Sequence, residues 1–98
     1  MRYTVRLRPE VERDLAAAAS WYEQQRAGLG HEFLDEFVAM QDRLSDMPLI
    51  WPVVHRKTHR ALLNRFPFGV YFRIYGADIV IVAVMHGSRN PSRWHDRT

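Results

Sequence analysis

Ninety-eight residues allow one hydrophobic core of ordinary size, and 47% hydrophobic residues with three tryptophans are enough to fill it. The absence of cysteine excludes a disulfide framework and a thiolate zinc site. The net charge of +3 conceals an asymmetry: residues 1–50 carry six arginines against nine acids, net −3, and residues 51–98 carry eight basic residues against two aspartates, net +6. An anionic partner, nucleic acid or acidic protein segment, is therefore expected at the second half. Thirteen of the fourteen basic residues are arginine, which suits bidentate contacts to phosphate and carboxylate but not proton transfer at neutral pH.

The chain opens with Tyr3, Val5 and Leu7 alternating with Thr4, Arg6 and Arg8, the period of a strand with one face buried. Pro9 ends it and suits the first position of a helix, and Glu10, Glu12 and Asp14 follow where negative charge complements the helix N-terminus. Val11, Leu15, Ala18 and Tyr22 form the apolar stripe of this helix, with Trp21 beside it. The run Ala16–Ala19 permits close approach of a neighbour, and glycine in "AGLG" (27–30) is expected to cap the helix C-terminus. A second helix, about His31 to Met47, repeats the stripe with Phe33, Phe37, Met40, Leu44 and Met47. So short a turn predicts an antiparallel helical hairpin.

Pro48 and Pro52 break the helical pattern, and Thr58–Leu63 reads as a weak strand. Further on, Val70, Phe72 and Ile74 face one way and Tyr71, Arg73 and Tyr75 the other. "YGAD" turns the chain into Ile79–Met85, apolar on both faces and so a central strand, flanked by its hairpin partner and the N-terminal strand. The expected fold is α+β: a β-α-α-β-β-β chain, its helical hairpin packed on a mainly antiparallel four-stranded sheet of spatial order 2-3-4-1, in one domain over 1–98. No run is long enough to cross a bilayer, and "MRYTVRLRP" lacks the apolar stretch of a signal peptide, so a soluble cytoplasmic protein without membrane contact is expected.

The order and spacing of "DLAAAASWY" with "GLG" after it, "RALLNRFPFGVYF" and "VAVMHGSRNPSRW", spanning residues 14–94, resemble the RelE/ParE toxins of bacterial toxin–antitoxin pairs. The resemblance implies the fold just derived and a growth-inhibiting toxin neutralised by a small antitoxin, with operator DNA met only through that antitoxin. It also implies one of two activities: RelE-like members cut mRNA in the ribosomal A site, whereas ParE-like members poison DNA gyrase.

Metal-free RNA cleavage needs a base for the 2′-hydroxyl, an acid for the leaving oxygen and cations for the phosphorane charge. Set on the RelE-like pattern, "FPFGVYF" places Gly69 where an arginine is expected. Arg60 matches a basic position on the preceding strand, Arg89 the C-terminal arginine, and Trp94 a candidate stacking aromatic. Arg73, four residues along the same strand, is the best candidate to substitute for the arginine missing at Gly69, but roughly 13 Å of strand is too long for the two positions to be equivalent. His86 is the histidine best placed for acid or base work, so a nuclease would use Arg60, His86 and Arg89.

The structural alternatives are plain. His86 can end a strand and hydrogen-bond locally, Trp21 and Tyr22 fit helix packing, and the helix acids Asp35, Glu36 and Asp42 fit a solvated face. His55 and His59 have a metal-pair spacing, but no Asp, Glu or Cys nearby completes a site, and neither metal nor cofactor is expected. The arginines resist such a reading, because Asp78 and Asp96 are too few to pair them locally. Arg56, Arg60, Arg65, Arg73, Arg89, Arg93 and Trp94 are therefore expected to meet the target or the antitoxin. Gly69, the near absence of lysine and two long helices favour a ParE-like gyrase inhibitor. The alternatives are a ribosome-dependent mRNA endonuclease and an antitoxin-binding module without toxicity.

Overall fold

The computed structural model describes residues 2–88 and 91–97. Elements follow in the order β1 (Thr4–Leu7), α1 (Pro9–Gln25), α2 (Leu29–Asp46), β2 (Val53–His55), β3 (Thr58–Leu62), β4 (Phe68–Tyr75), β5 (Asp78–His86) and α3 (Ser92–His95). The sheet has five strands in the order β1-β5-β4-β3-β2, with β1 parallel to β5 and the other pairs antiparallel. The expected order is present, with β5 central between β1 and β4. The extra strand is β2, three residues between Pro52 and a tight turn at Arg56, whose φ of 52° is left-handed. So short a segment has no periodicity to read. The one-turn α3 and a 3-10 turn at Pro48–Ile50 also lie below what a sequence pattern resolves.

Pro9 starts α1 as expected, and Val11, Leu15, Ala18 and Tyr22 pack toward the core. On α2, Phe33, Phe37, Met40 and Leu44 are buried. Met47, expected on the same stripe, sits just past the helix and is exposed. The inter-helix turn also departs from expectation. Arg26, in extended conformation, ends α1, and the left-handed Gly28 (φ 88°) instead leads into α2 two residues earlier than the pattern suggested. Glu23 explains the early start: its carboxylate accepts from the Gly28 amide at 2.9 Å and the Gly30 amide at 3.1 Å, satisfying donors that a helix N-terminus leaves orphaned. A Cβ on Gly30 would lie 2.4 Å from the Ala19 carbonyl oxygen, so the small-residue run does set the approach of the two helices.

Alternation assigns each strand residue to a face. The inner face, under α1 and α2, takes Val5, Leu7, Ala61, Phe68, Val70, Phe72, Ile74, Ile79, Ile81 and Val84. The outer face takes Tyr71, Val80, Val82, Ala83 and Met85. Along β5 the inward positions run 79, 81, 84, because a bulge opposite Tyr71 and Phe72 inserts an extra residue and turns Val82 and Ala83 outward together. The bulge shifts the phase of the strand end and so decides where His86 points.

Candidate functional site

His86 pairs across from Phe68, and their rings lie 5.4 Å apart on the inner side, at the mouth of a groove of about 600 Å³. The groove runs between α1 (Ala17, Ala18, Trp21, Tyr22) and the C-terminal half of β5, which β1 is too short to cover, with Arg93 and Arg97 among its lining. The His86 ring is occupied locally: Nδ1 accepts from the Ser88 amide at 3.1 Å and lies 2.8 Å from Ser88 Oγ. Such acceptance places the neutral ring's proton on Nε2. Trp21 is exposed in this groove, whereas Tyr22 is half-buried against Phe33, Phe66 and Phe68, and that burial raises its phenol pKa.

Arg60 lies on the other side of the sheet. Its cross-strand partner is Tyr71, and its aliphatic stem covers Gly69, where a Cβ would stand 3.2 Å from Arg60 Cγ and Cδ. The glycine at the position expected to carry an arginine therefore makes the space that Arg60 fills. Arg60 Nε is buried with no hydrogen-bond partner among the described residues. Arg6 and Arg73 share this face, each beside Val80; Arg6 is 3.8 Å from Asp78, and the Arg73 guanidinium lies 5.7 Å from the Tyr75 ring centre.

Across the outer face lies α3. Trp94, 5% exposed, stacks on Tyr71 with ring centres 4.3 Å apart at 22°. His95 stacks on His55 of β2 at 3.6 Å and 8°. Burial among these rings, then the charges of His95 and Arg56, lower the His55 pKa. Sequence reasoning weighed His55 only with His59 and missed its pairing with His95, since nothing local announces a pair separated by forty residues. His59 faces inward instead, stacked on Phe72 with Nδ1 2.8 Å from the Trp51 carbonyl oxygen, so His55 and His59 are not a metal pair. No group of three potential metal ligands occurs among the described residues.

The candidate Arg65 and a further arginine, Arg97, are held by acids from the first half of the chain, which a count by halves could not foresee. Arg65 is 2.6 Å from Glu32, whose carboxyl is held below the usual range by hydrogen bonds from Arg65 and then Arg26. The Arg65 amide also donates to Glu36, so this residue fixes the loop before β4. Arg97 likewise makes two hydrogen bonds to Asp14, at 2.7 and 3.2 Å, and donates to the Val82 carbonyl at 3.2 Å. Asp14 in turn accepts from the Val84 amide at 3.0 Å, so the pair occupies backbone groups that the bulge leaves at the free edge of β5. Arg56 and Arg93 are exposed, and Arg89 lies outside the described residues.

The sheet thus separates two of the three residues expected to form a nuclease site. Arg60 is on the outer face, His86 opens onto the inner groove, and Arg89 is not placed. Residues 5–91 match the family described as the ParE toxin of the type II toxin–antitoxin system parDE. The chain belongs to the ParE toxin family. The ParE-family chain is also similar to solved structures. One, the chromosomal ParDE system from P. aeruginosa, is 18% identical, with 87% of this chain and 96% of that chain covered at a TM-score of 0.77. Another, the RelBE2 toxin–antitoxin complex from Mycobacterium tuberculosis, is 25% identical, with 88% and 92% covered at a TM-score of 0.66. No curated protein sequence matches the chain. The protein is therefore a toxin of a type II toxin–antitoxin system, with a cognate antitoxin as partner.

Proposed function

We propose that this cytoplasmic toxin, one domain over residues 1–98, inhibits DNA gyrase by binding it in the ParE manner, without cutting RNA. The observation that carries this reading is the placement of Arg60 and His86 on opposite faces of the sheet. General acid–base cleavage requires the proton carrier and the phosphate-binding cation within hydrogen-bond reach of one phosphodiester, and a sheet between them prevents it. Recognition needs no such convergence. The outer face offers Arg60 and Arg73 to an anionic surface, with exposed Arg56 at its β2 edge, which suits docking without chemistry.

The antitoxin is assigned to the groove between α1 and β5. Trp21 and Ala17 give apolar anchorage, and Arg93 and His86 suit an acidic segment that folds on binding. A second reading, a ribosome-dependent mRNA endonuclease, has one observation in its favour: His55, its pKa lowered by burial, shares the outer face with Arg60. Parallel assays separate the two. Purified toxin added to gyrase should block supercoiling, and added to translating ribosomes should create no new mRNA 5′ ends. New ends with unaffected supercoiling would replace the first reading by the second.

A further inference from the structure

The contacts of residues 91–97 run across the outer face from edge to edge. His95 lies on His55 at one side, Trp94 on Tyr71 in the middle, and Arg97 reaches Asp14 and Val82 at the free edge of β5. This strap is small, a single helical turn, and it overlies the neighbours of Arg60: Tyr71 on β4 and His55 on β2. We propose that the strap is a pH-gated cover over the Arg60 face, closed while the His55–His95 stack is neutral and released when it is protonated. The inference rests on the reading of that face as the target-binding surface.

The physical argument is one of geometry and charge. Two imidazole rings at 3.6 Å and nearly parallel pack well when uncharged, but two imidazolium ions at that distance repel. The charged groups around them are mostly cations. Arg56 adjoins His55, Arg60 shares its face from β3, Trp94 supplies a neutral ring, and Arg93 and Asp96 flank His95 along the strap. The pKa of His55 is lowered in the closed state, so the open state binds the proton more readily. Closure is therefore complete above the ordinary histidine value of about 6.5 and weakens as pH falls below it. At the other anchor, the two hydrogen bonds from Arg97 to Asp14 and the one to the Val82 carbonyl hold the end of the strap and act as a hinge. Opening raises the apparent affinity of any ligand for the Arg60 face in proportion to the open fraction.

Fluorine NMR of the full chain labelled with 5-fluorotryptophan tests the gate without any target, so its outcome is independent of whether gyrase is bound. The Trp94 resonance, assigned with Trp94→Phe, should lose its buried position as pH is lowered from about 7.5 to about 5, while far-UV circular dichroism stays native. His55→Phe removes the histidine whose pKa closure lowers, and the double variant His55→Phe with His95→Phe leaves no titrating ring in the stack; either one that folds should hold Trp94 buried across the whole range. The proposal is overturned if wild-type Trp94 stays buried at the acid end, if the phenylalanine variants open as the wild type does, or if dichroism is lost in step with the Trp94 signal.

Discussion

On the inner face of the sheet, helices of 17 and 18 residues bury Phe33, Phe37, Met40 and Leu44 against Val70, Phe72, Ile79 and Ile81; on the outer face one turn of four residues places Trp94 over Tyr71, Val82 and Ala83. The same strands thus carry two apolar clusters of unequal consequence. The inner cluster joins every long element and cannot open without loss of the fold. The outer cluster is covered by a single short turn, the kind of segment in which low-stability motions are found. Under the proposed function, stability and target contact fall on opposite sides of one sheet.

The contrast is broken most severely by Phe72→Ala. Removing a wholly buried phenylalanine between α2 and the sheet should cost about 3–5 kcal/mol in urea unfolding, enough to threaten the fold. Gly30→Ala should follow at about 1–3 kcal/mol, because the new methyl forces the hairpin apart at the Ala19 carbonyl. Trp94→Ala tests the asymmetry itself. Trp94 is almost as buried as Phe72, yet its loss should cost clearly less in the same unfolding experiment and should mainly speed hydrogen exchange in residues 91–97. Equal costs for the two aromatics would mean that the outer face is as integral as the inner one. Arg2→Ala, which removes an ion pair with Asp42 exposed at both ends, should shift stability by no more than about 0.5 kcal/mol.

Acid should loosen the inner side by a different route. Glu32 has its pKa lowered by Arg65 and Arg26, so its contribution is complete above the ordinary carboxylate value of about 4.3 and declines as pH falls through that value and below. Glu32→Gln should flatten that part of the pH–stability profile. An unchanged profile would assign the acid response to other carboxylates.

The inner face was legible in the sequence because its signals are periodic. Val11, Leu15, Ala18 and Tyr22 announce one helix stripe, and Val70, Phe72 and Ile74 a strand face, and all are found as read. The outer face and the charge pairing were not, for three physical reasons. The bulge at Val82 shifts the alternation of β5 by one and sends His86 inward, away from Arg60. The pairs Asp14–Arg97 and Glu32–Arg65 join halves of the chain whose charges, counted separately, suggested unpaired arginines. Trp94, read as a stacking aromatic available to a target, is instead buried against Tyr71. Gly69 was noticed for the arginine it replaces, and its steric role beneath Arg60 appears only when β3 and β4 are paired.

The most direct test of the functional assignment is a gyrase supercoiling assay titrated with wild-type protein, Arg60→Ala and His86→Ala, each confirmed folded. Wild type should inhibit, Arg60→Ala should require a markedly higher concentration, and His86→Ala should match wild type. Unimpeded supercoiling at saturating wild-type protein, or a defect in His86→Ala as deep as that of Arg60→Ala, would contradict a gyrase-binding outer face separate from the groove.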